Sequence, residues 1–323
     1  METVPGSQRL LVRQMTWEAD DVLSITLVRP DGGELPEWTL GSHIDLILPP
    51  DIIRQYSLCS DPANRTEYQV AVLKEPQSSG GSRYIHETMR PGDLVEVAGP
   101  RNNFPLIDAP HYLIIAGGIG VTPLLPMTFA LAERGADWHL LYGGRRRASM
   151  AFLDRLSKLD GDVVIRPEDQ FGLLDLKGAI EDTPEDTAVY CCGPEVLIAA
   201  VEAQCEASGR PAPHVERFKA RPGLLAEQAA EASGNTAFDV ILARSGKRFT
   251  IPPDKSIIQV LKENRVFVPT SCTEGYCGVC ETEVLEGIPD HRDDYLTPEK
   301  RASNKTMMVC CGRSKTPELV LKL

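Results

Sequence analysis

The sequence predicts three folded parts in series: an antiparallel β-barrel, an α/β doubly wound domain and a smaller α+β unit. Short β-branched stretches separated by Gly and Pro fill the first third of the chain. A strand, glycine turn and helix pattern then repeats, and a cysteine-rich loop lies between short strands near the carboxyl end. The 323 residues are enough for two or three domains.

The barrel prediction comes from many short strands with turn residues between them. Val22–Val28 and Tyr68–Leu73 are β-branched stretches, and Pro-Asp-Gly-Gly at 30–33 and Pro-Gly-Asp at 91–93 are turn signals. This texture is typical of an antiparallel barrel. A barrel that binds no ligand would show the same pattern.

The second part begins with a continuous apolar run at 112–116, which predicts a strand buried on both faces. Glycines at 117–120 and a helix over 123–135 follow it. Further strands are expected at 138–142 and 188–191, the latter followed by Gly193-Pro194 and a helix over 195–208. Repeated strand, turn and helix units predict a doubly wound sheet.

The third part follows a stretch rich in Ala, Glu and Gly, which we interpret as a linker containing a short helix at Leu224–Ala232. Phe238–Leu242 is expected to pair with a strand at 249–251 across the turn at 244–247. A helix over 256–264, the cysteine loop and a closing strand over 318–323 complete the unit.

Composition excludes several function classes. The formal net charge of −12 argues against nucleic-acid or anionic-membrane partners, which need a basic surface, and suits a partner with a basic face. No apolar run is long enough to span a bilayer, and residues 1–13 lack the pattern of a signal peptide. Nine cysteines without an export signal indicate reduced thiols or metal ligands, so we expect a cytoplasmic protein.

The cysteine spacing is the strongest local signal. Cys272, Cys277 and Cys280 follow C-x4-C-x2-C, and Cys310 comes after twenty-nine intervening residues, which is the plant-type [2Fe–2S] pattern. A zinc site is the alternative, although zinc sites favour two close cysteine pairs. Cys311 adjoins Cys310; in a strand the two side chains would point to opposite sides, and we assign Cys310 as the ligand.

Two weaker motifs have structural alternatives. The glycine turn at 117–120 opens a helix and could receive a pyrophosphate, but such turns are often purely structural. Cys192-Gly193-Pro194, at the end of another strand, is either part of a ligand site or a buried small residue followed by a turn. Arg54-Gln55-Tyr56-Ser57 offers phosphate, ring and hydroxyl contacts, or simply a core Tyr beside a surface Arg.

These motifs occur in a fixed order along the chain. RxYS, then Gly80-Gly81-Ser82, then GGIGVTP, then CGP and a C-terminal plant-type cysteine module resemble the phthalate dioxygenase reductase family of the ferredoxin–NADP reductase superfamily. The resemblance covers nearly the whole chain and extends to vanillate demethylase and carnitine monooxygenase reductases. It implies an FMN-binding barrel over residues 1–107, an NAD-binding α/β domain over 108–222, a linker over 223–236 and a β-grasp ferredoxin domain over 237–323.

The resemblance also implies roles for particular residues. Ser57, Thr122 and Cys192 would act where flavin and nicotinamide meet, and Cys310 would be the fourth cluster ligand. The residues implied to bind FMN or the nicotinamide nucleotide are Arg54, Tyr56, Ser57, Val72, Lys74, Gly80, Gly81, Ser82, Gly118, Gly120, Thr122, Arg145 and Phe218.

The implied activity is electron transfer from NADH through FMN and a [2Fe–2S] cluster to a Rieske non-haem iron oxygenase on a separate chain. A stand-alone flavin, ferric or cytochrome c reductase is the alternative. Arg145-Arg146-Arg147 leaves NADPH open as the electron donor, since arginines there could bind its 2′-phosphate, and a solvated turn is the other interpretation. His214 and Glu216 are interpreted as structural residues of a strand.

Overall fold

The computed structural model describes residues 7–49, 52–76, 78, 80–221 and 223–323. The chain divides into two compact units, Met1–Glu216 and Arg217–Leu323. The first contains a barrel and a parallel sheet, and the second contains the cysteine loop. The predicted fold class is therefore confirmed in all three parts.

The barrel is a six-stranded antiparallel sheet in the order β4-β3-β6-β1-β2-β5. A bridge between Leu58, just after β4, and Val70 of β5 closes it. Alternate residues such as Ile25 and Leu27 are fully buried, because successive side chains of a strand point to opposite faces. The elements are β1 (Gln8–Ala19), β2 (Val22–Val28), β3 (Ser42–Leu48), β4 (Ile52–Ser57), β5 (Tyr68–Leu73), α1 (Gly81–Glu87) and β6 (Leu94–Asn102).

The second sheet has five parallel strands in the order β11-β10-β7-β8-β9, so the first strand in the chain is central. Leu113 and Ile114 of β7 enter apolar cores on opposite faces of the sheet, which explains the continuous apolar run. The elements are β7 (His111–Gly117), α2 (Val121–Glu133), β8 (Asp137–Gly144), α3 (Leu153–Leu156), β9 (Asp162–Pro167), α4 (Glu168–Phe171), α5 (Leu176–Glu181), β10 (Thr187–Cys192), α6 (Glu195–Ala207) and β11 (His214–Glu216).

The barrel and the parallel sheet are joined by specific contacts inside the first unit. Arg155, at the end of α3, donates to the Gln69 side chain at 3.0 Å and to the backbone oxygen of Cys59 at 3.3 Å. The Asp20 N–H donates to the Ala148 carbonyl at 2.8 Å. These bonds fix barrel residues relative to the carboxyl edge of the parallel sheet.

The second unit is a mixed five-stranded sheet in the order β13-β12-β18-β14-β16, in which only β12 and β18 run parallel among the described pairs. A capping box at Ser256 and Gln259 starts its main helix. The elements are α7 (Leu224–Ala232), β12 (Phe238–Leu242), β13 (Arg248–Ile251), α8 (Ile257–Glu263), β14 (Glu281–Glu286), β15 (Pro289–Asp290), α9 (Pro298–Ser303), β16 (Thr306–Met308), β17 (Arg313–Ser314) and β18 (Glu318–Leu321).

Much of the segment expected to be a linker is helix α7, and it packs on the second unit. Gln228 donates to the backbone oxygens of Glu274 and Arg292 at 3.1 and 2.7 Å. Arg221, just before the helix, pairs with Asp294 at 2.8 Å. These bonds attach the segment to the loop that carries three of the four cysteines.

Candidate functional site

The four predicted cluster cysteines converge in the second unit. The Cys272 thiol contacts those of Cys277 and Cys310, and Cys280 contacts Cys310. Hydrogen bonds from Cys277 and Cys310 lower the pKa of Cys272 to about 2, and the Cys272 thiolate in turn raises the pKa of Cys310. Hydrogen bonds between thiols this close together stabilise a thiolate among them. The thiolate is the form of cysteine that binds metal.

The cysteine loop directs backbone N–H groups at sulfur. The Glu274 N–H donates to the Cys272 Sγ at 3.4 Å. Gly275 and Gly278 have φ of 88° and 76°, a region that side chains disfavour. A Cβ on Gly278 would lie 2.3 Å from the Tyr295 ring, so the loop closes only with glycine there. Such donors stabilise the negative charge of a thiolate-bound cluster.

The prediction that Cys310 and Cys311 lie in a strand is wrong. The strand β16 ends at Met308, and both cysteines lie in a turn in which the Gly312 N–H donates to the Met308 carbonyl at 2.9 Å. Cys310 nevertheless joins the other thiols, and it is 6% exposed. The Cys311 Sγ lies against Gly275, 2.7 Å from where a Cβ would stand.

The spacing of the four cysteines favours a two-iron cluster over a single zinc ion. In the described part of the chain, no three His, Cys, Asp or Glu side chains are placed to hold a single metal ion. A [2Fe–2S] cluster needs only two cysteine ligands on each iron, whereas zinc takes its four ligands around one point. The contacts of Cys272 with Cys277 and Cys310, and of Cys280 with Cys310, bring all four thiols within reach of one such cluster.

The glycine turn after β7 lies at the carboxyl edge of the parallel sheet. Gly118 has open space around it, so a ligand can approach its backbone. A Cβ on Gly120 would lie 2.3 Å from the Cys192 carbonyl oxygen, so this glycine lets the turns after β7 and β10 pack together. The Thr122 hydroxyl donates to the Ile119 carbonyl at 3.0 Å and shapes the same turn.

The structure brings together three residues that are far apart in sequence. The Ser57 Oγ, from the end of barrel strand β4, donates to Glu216 Oε2 at 3.1 Å. Glu216 ends β11, in register with Cys192 of β10. Burial raises the pKa of Glu216 to about 8, and burial followed by the nearby Glu216 charge raises that of Cys192. The carboxyl can therefore hold or release a proton near neutral pH.

Sequence analysis assigned Glu216 a structural role, yet its carboxyl faces the predicted reactive residues. The only signal in the sequence was an acidic residue in a short strand beside His214. The structural interpretation holds for His214, whose ring stacks on Tyr190 at 4.7 Å. His214 and Glu216 lie two positions apart and share a face of the sheet, but they have different neighbours, because His214 is in register with Tyr190 and Glu216 with Cys192.

A second group of predicted residues lies at the start of α1. Arg54 of β4 runs so close to Gly81 that a Cβ there would lie 2.7 Å from its Cγ. The Ser82 Oγ donates to the Ser78 Oγ at 3.0 Å and accepts from the Glu75 N–H at 3.2 Å. A guanidinium beside hydroxyls and glycine backbone fits a terminal phosphate such as that of FMN.

The remaining predicted residues are distributed around these two groups. Tyr56, on β4 between Arg54 and Ser57, is partly buried against the barrel core. Val72 is 1% exposed within that core, and Lys74 pairs with Glu87 at 3.0 Å. Arg145 is exposed just after β8. Phe218 belongs to the second unit and is 38% exposed, so its predicted flavin contact stays a prediction.

The helices in the described ranges are short or polar relative to a membrane-spanning segment. None of them combines the length and the apolar character that a bilayer crossing requires.

Three comparisons with known proteins agree with this geometry. The 2Fe-2S iron-sulfur cluster binding domain matches residues 240–315. Phenoxybenzoate dioxygenase subunit beta of Ectopseudomonas oleovorans is 43% identical over 316 residues, which cover 97% of each chain. The structure of phthalate dioxygenase reductase, described as modular for electron transfer from pyridine nucleotides to [2Fe–2S], matches with a TM-score of 0.70 at 35% identity over 98% of each chain.

An intact type IV self-sufficient cytochrome P450 monooxygenase also contains this fold. It matches with a TM-score of 0.88 at 41% identity. The match covers 98% of this chain and 41% of that one, so this chain spans about two fifths of the larger protein.

Proposed function

This chain belongs to the phthalate dioxygenase reductase family, and we propose that it is the NADH-oxidising reductase component of a Rieske non-haem iron oxygenase system. One observation carries the proposal: four converging thiols lie in a chain that matches a dioxygenase subunit over 97% of both lengths. The oxygenase component is the partner, on a separate chain. The substrate of the system meets the oxygenase and not this protein.

The resident groups are FMN and a [2Fe–2S] cluster. When bound, FMN exchanges electrons with nicotinamide as hydride and with iron singly, which connects a two-electron donor to a one-electron carrier. Arg54, Gly80, Gly81 and Ser82 would hold the phosphate of FMN, and Tyr56 would contact its ring. Cys272, Cys277, Cys280 and Cys310 hold the cluster.

The residues at the carboxyl edge of the parallel sheet orient NADH, the electron donor. Gly118 leaves its backbone open to the pyrophosphate of NADH, and Thr122 shapes the turn beside it. Ser57, Cys192 and Glu216 place a hydroxyl, a thiol and a carboxyl where the nicotinamide enters. The Glu216 carboxyl holds the Ser57 hydroxyl in one orientation, at 3.1 Å.

We assign the FMN domain to residues 1–107, the NAD domain to 108–222 and the ferredoxin domain to 237–323. Residues 223–236 connect them and carry α7. The proposed compartment is the cytoplasm, where NADH is available and cysteines remain reduced.

The proposal is tested by purifying the protein from iron-replete anaerobic cultures. We expect acid-extracted flavin to chromatograph as FMN, and about two irons and two acid-labile sulfides per chain. Anaerobic NADH should bleach the flavin and generate the paramagnetic signal of a reduced [2Fe–2S] cluster. Zinc at the thiols, or no reduction by NADH, would overturn the proposal.

The acceptor is tested separately, because the similarity to a self-sufficient cytochrome P450 favours a haem acceptor as the second candidate. Reduced protein is mixed with a purified Rieske oxygenase or with a cytochrome P450 under carbon monoxide. Rapid reduction of the Rieske centre supports the proposal. Reduction of the haem alone, with the Rieske centre left oxidised, supports the second candidate.

A further inference from the structure

Two carbonyl groups of the cysteine loop are hydrogen-bonded by residues from outside the loop. Gln228 of α7 donates its side-chain amide to the Glu274 carbonyl at 3.1 Å. The Asp294 N–H donates to the Gly275 carbonyl at 3.0 Å. Because a peptide group is planar, a bond to its carbonyl also fixes the direction of its N–H. Two consecutive peptide groups of the loop are therefore held from outside.

The same stretch of the loop directs N–H groups at the Cys272 sulfur. The Glu274 N–H lies 3.4 Å from the Cys272 Sγ, and the Tyr276 N–H is a second donor to this thiol. The Tyr276 N–H belongs to the peptide group whose carbonyl accepts from Asp294. A carbonyl that accepts a hydrogen bond polarises its peptide group, which makes the N–H a stronger donor. The outside bonds thus act on the donors that face the sulfur.

Gln228 bridges two segments with one amide group. Its Nε2 donates to the Glu274 carbonyl of the cysteine loop and, at 2.7 Å, to the Arg292 carbonyl of the segment 290–294. An amide nitrogen carries two N–H groups, so both are used. Two carbonyl acceptors also fix which end of the amide faces them, because its oxygen cannot donate. The partly buried side chain of Gln228 is therefore held in one orientation.

Ion pairs hold α7 against the segment 290–294. Arg221, just before the helix, pairs with Asp294 at 2.8 Å and with Glu227 at 2.6 Å. Glu231, near the end of the helix, pairs with Arg292 at 3.2 Å. The side chains of Asp294 and Arg292 are only 17% and 11% exposed. The position of Gln228 relative to the cysteine loop is thus determined at both ends of α7.

We propose that Gln228 is a positioning residue of the iron–sulfur site, which orients the peptide groups beside Cys272 and thereby sets the reduction potential of the cluster. Hydrogen bonds to cluster sulfurs stabilise the additional negative charge of the reduced form, so they raise its reduction potential. The inference rests on the proposed function, because it requires a cluster on these thiols. It makes α7 a part of the redox site and more than a connection between domains.

A reduction titration of the holoprotein tests this role without turnover. Mediator dyes set the potential, and the paramagnetic signal of the reduced cluster is recorded. Gln228→Met keeps the length of the side chain but has no N–H donor. Its equilibrium constant for cluster reduction should fall about threefold to tenfold, a tenfold change being about 59 mV for one electron. A purely structural contact would change the stability of the protein and leave this constant unaltered.

Two further variants serve as rescue and control. Gln228→Lys restores N–H donors, so it should keep the cluster and have a potential at or above the wild-type value. The matched control is Gln204→Met on α6 of the first unit, a partly buried glutamine that donates to the Ser208 hydroxyl at 3.0 Å. This variant should have the wild-type potential.

The outcomes separate this inference from the proposed function. Loss of the cluster in Gln228→Met but not in Gln228→Lys would also support the role, since the lysine restores the donors. A wild-type potential in Gln228→Met, an equal shift in Gln204→Met, or loss of the cluster in both Gln228 variants would overturn it. Absence of a cluster that NADH reduces in the wild type would instead overturn the proposed function.

Discussion

The iron–sulfur site and the flavin–nicotinamide site of this protein are built in opposite ways. Three of the four cysteines proposed to hold the cluster lie within nine consecutive residues, 272–280, and glycines between them give the loop its shape. In the other site, Ser57 bonds to Glu216 across 159 positions of sequence, and the two come from different sheets. A site built from one loop can be identified from its spacing, whereas a site built from distant strands depends on how those strands pack.

The two units also differ in charge. Residues 1–216 contain 18 Lys and Arg against 32 Asp and Glu, for a net charge of −14, whereas residues 217–323 contain 16 against 14, for +2. The excess of acidic residues in the whole chain therefore lies in the first unit, which contains the barrel and the parallel sheet. The expectation of a partner with a basic face came from the whole-chain charge, and it does not describe the unit that carries the cluster.

The largest effect is expected at the loop-built site. Cys310→Ser should remove the cluster, because a two-iron centre left with three thiolates lacks one of its four ligands. Electron transfer to the acceptor should fall at least about one-hundredfold, while flavin reduction by NADH persists. Iron content, the visible spectrum and stopped-flow traces measure the three quantities.

The adjacent cysteine supplies the matched control for that experiment. Cys311→Ser should keep its iron and its acceptor activity, since the Cys311 thiol lies against Gly275. If Cys311→Ser lost the cluster and Cys310→Ser kept it, the assignment of the fourth ligand would be reversed.

The next effect concerns the site built from distant strands. Glu216→Gln should slow anaerobic flavin reduction by NADH about tenfold to one-hundredfold, because the carboxyl orients Ser57 and can carry negative charge near the nicotinamide. In the wild type this rate should rise as pH increases through about 8, the pKa of Glu216, since a carboxylate stabilises the positive charge that develops on the nicotinamide.

The variant should show no such rise with pH. Glu133→Gln, an exposed carboxyl at the end of α2, should reproduce both the wild-type rate and its pH profile. A pH rise that survives in Glu216→Gln would assign the titration to another group.

A comparable effect is expected for the phosphate group of FMN. Arg54→Gln should weaken FMN binding about tenfold to one-hundredfold, the usual range for a lost charge-assisted hydrogen bond. Riboflavin, which lacks the phosphate, should bind wild type and variant equally, and Arg9→Gln on β1 should leave both affinities unchanged. Equal weakening for both flavins would indicate damage to the barrel and not loss of a phosphate contact.

The last effect is on stability. Burial raises the pKa of Glu216 from 4.5 to about 8, so the folded protein holds this proton more tightly than the unfolded chain. The associated stability is complete below about pH 4.5 and is lost as pH rises through about 8. Glu216→Gln cannot ionise, so its melting temperature relative to wild type should be on the order of 10 °C higher at pH 9 than at pH 5, because the raised pKa corresponds to about 4 kcal/mol over this range. A constant difference across this pH range would contradict the account.

The bounds of several strands and helices can be compared with those predicted from the sequence. The strands Val22–Val28, Tyr68–Leu73 and Phe238–Leu242 and the helix Leu224–Ala232 have the predicted bounds. α2 begins at Val121, two residues before the predicted start, because the glycine turn ends sooner than its sequence indicates. The turn at Cys310 was missed because a β-branched and apolar run looks like a strand until its hydrogen bonds are known.

The sequence by itself determined the three-part fold and the family, and its cysteine spacing predicts the cluster ligands, because periodicity, turn residues and ligand spacing act over short distances along the chain. Only the tertiary structure decided that Glu216 lies beside Ser57 and Cys192 and that Gly120 lets the turns after β7 and β10 pack together. Those relations depend on the register of parallel strands and on the contact between two sheets. No local pattern encodes either, since both follow from the free energy of packing the whole unit.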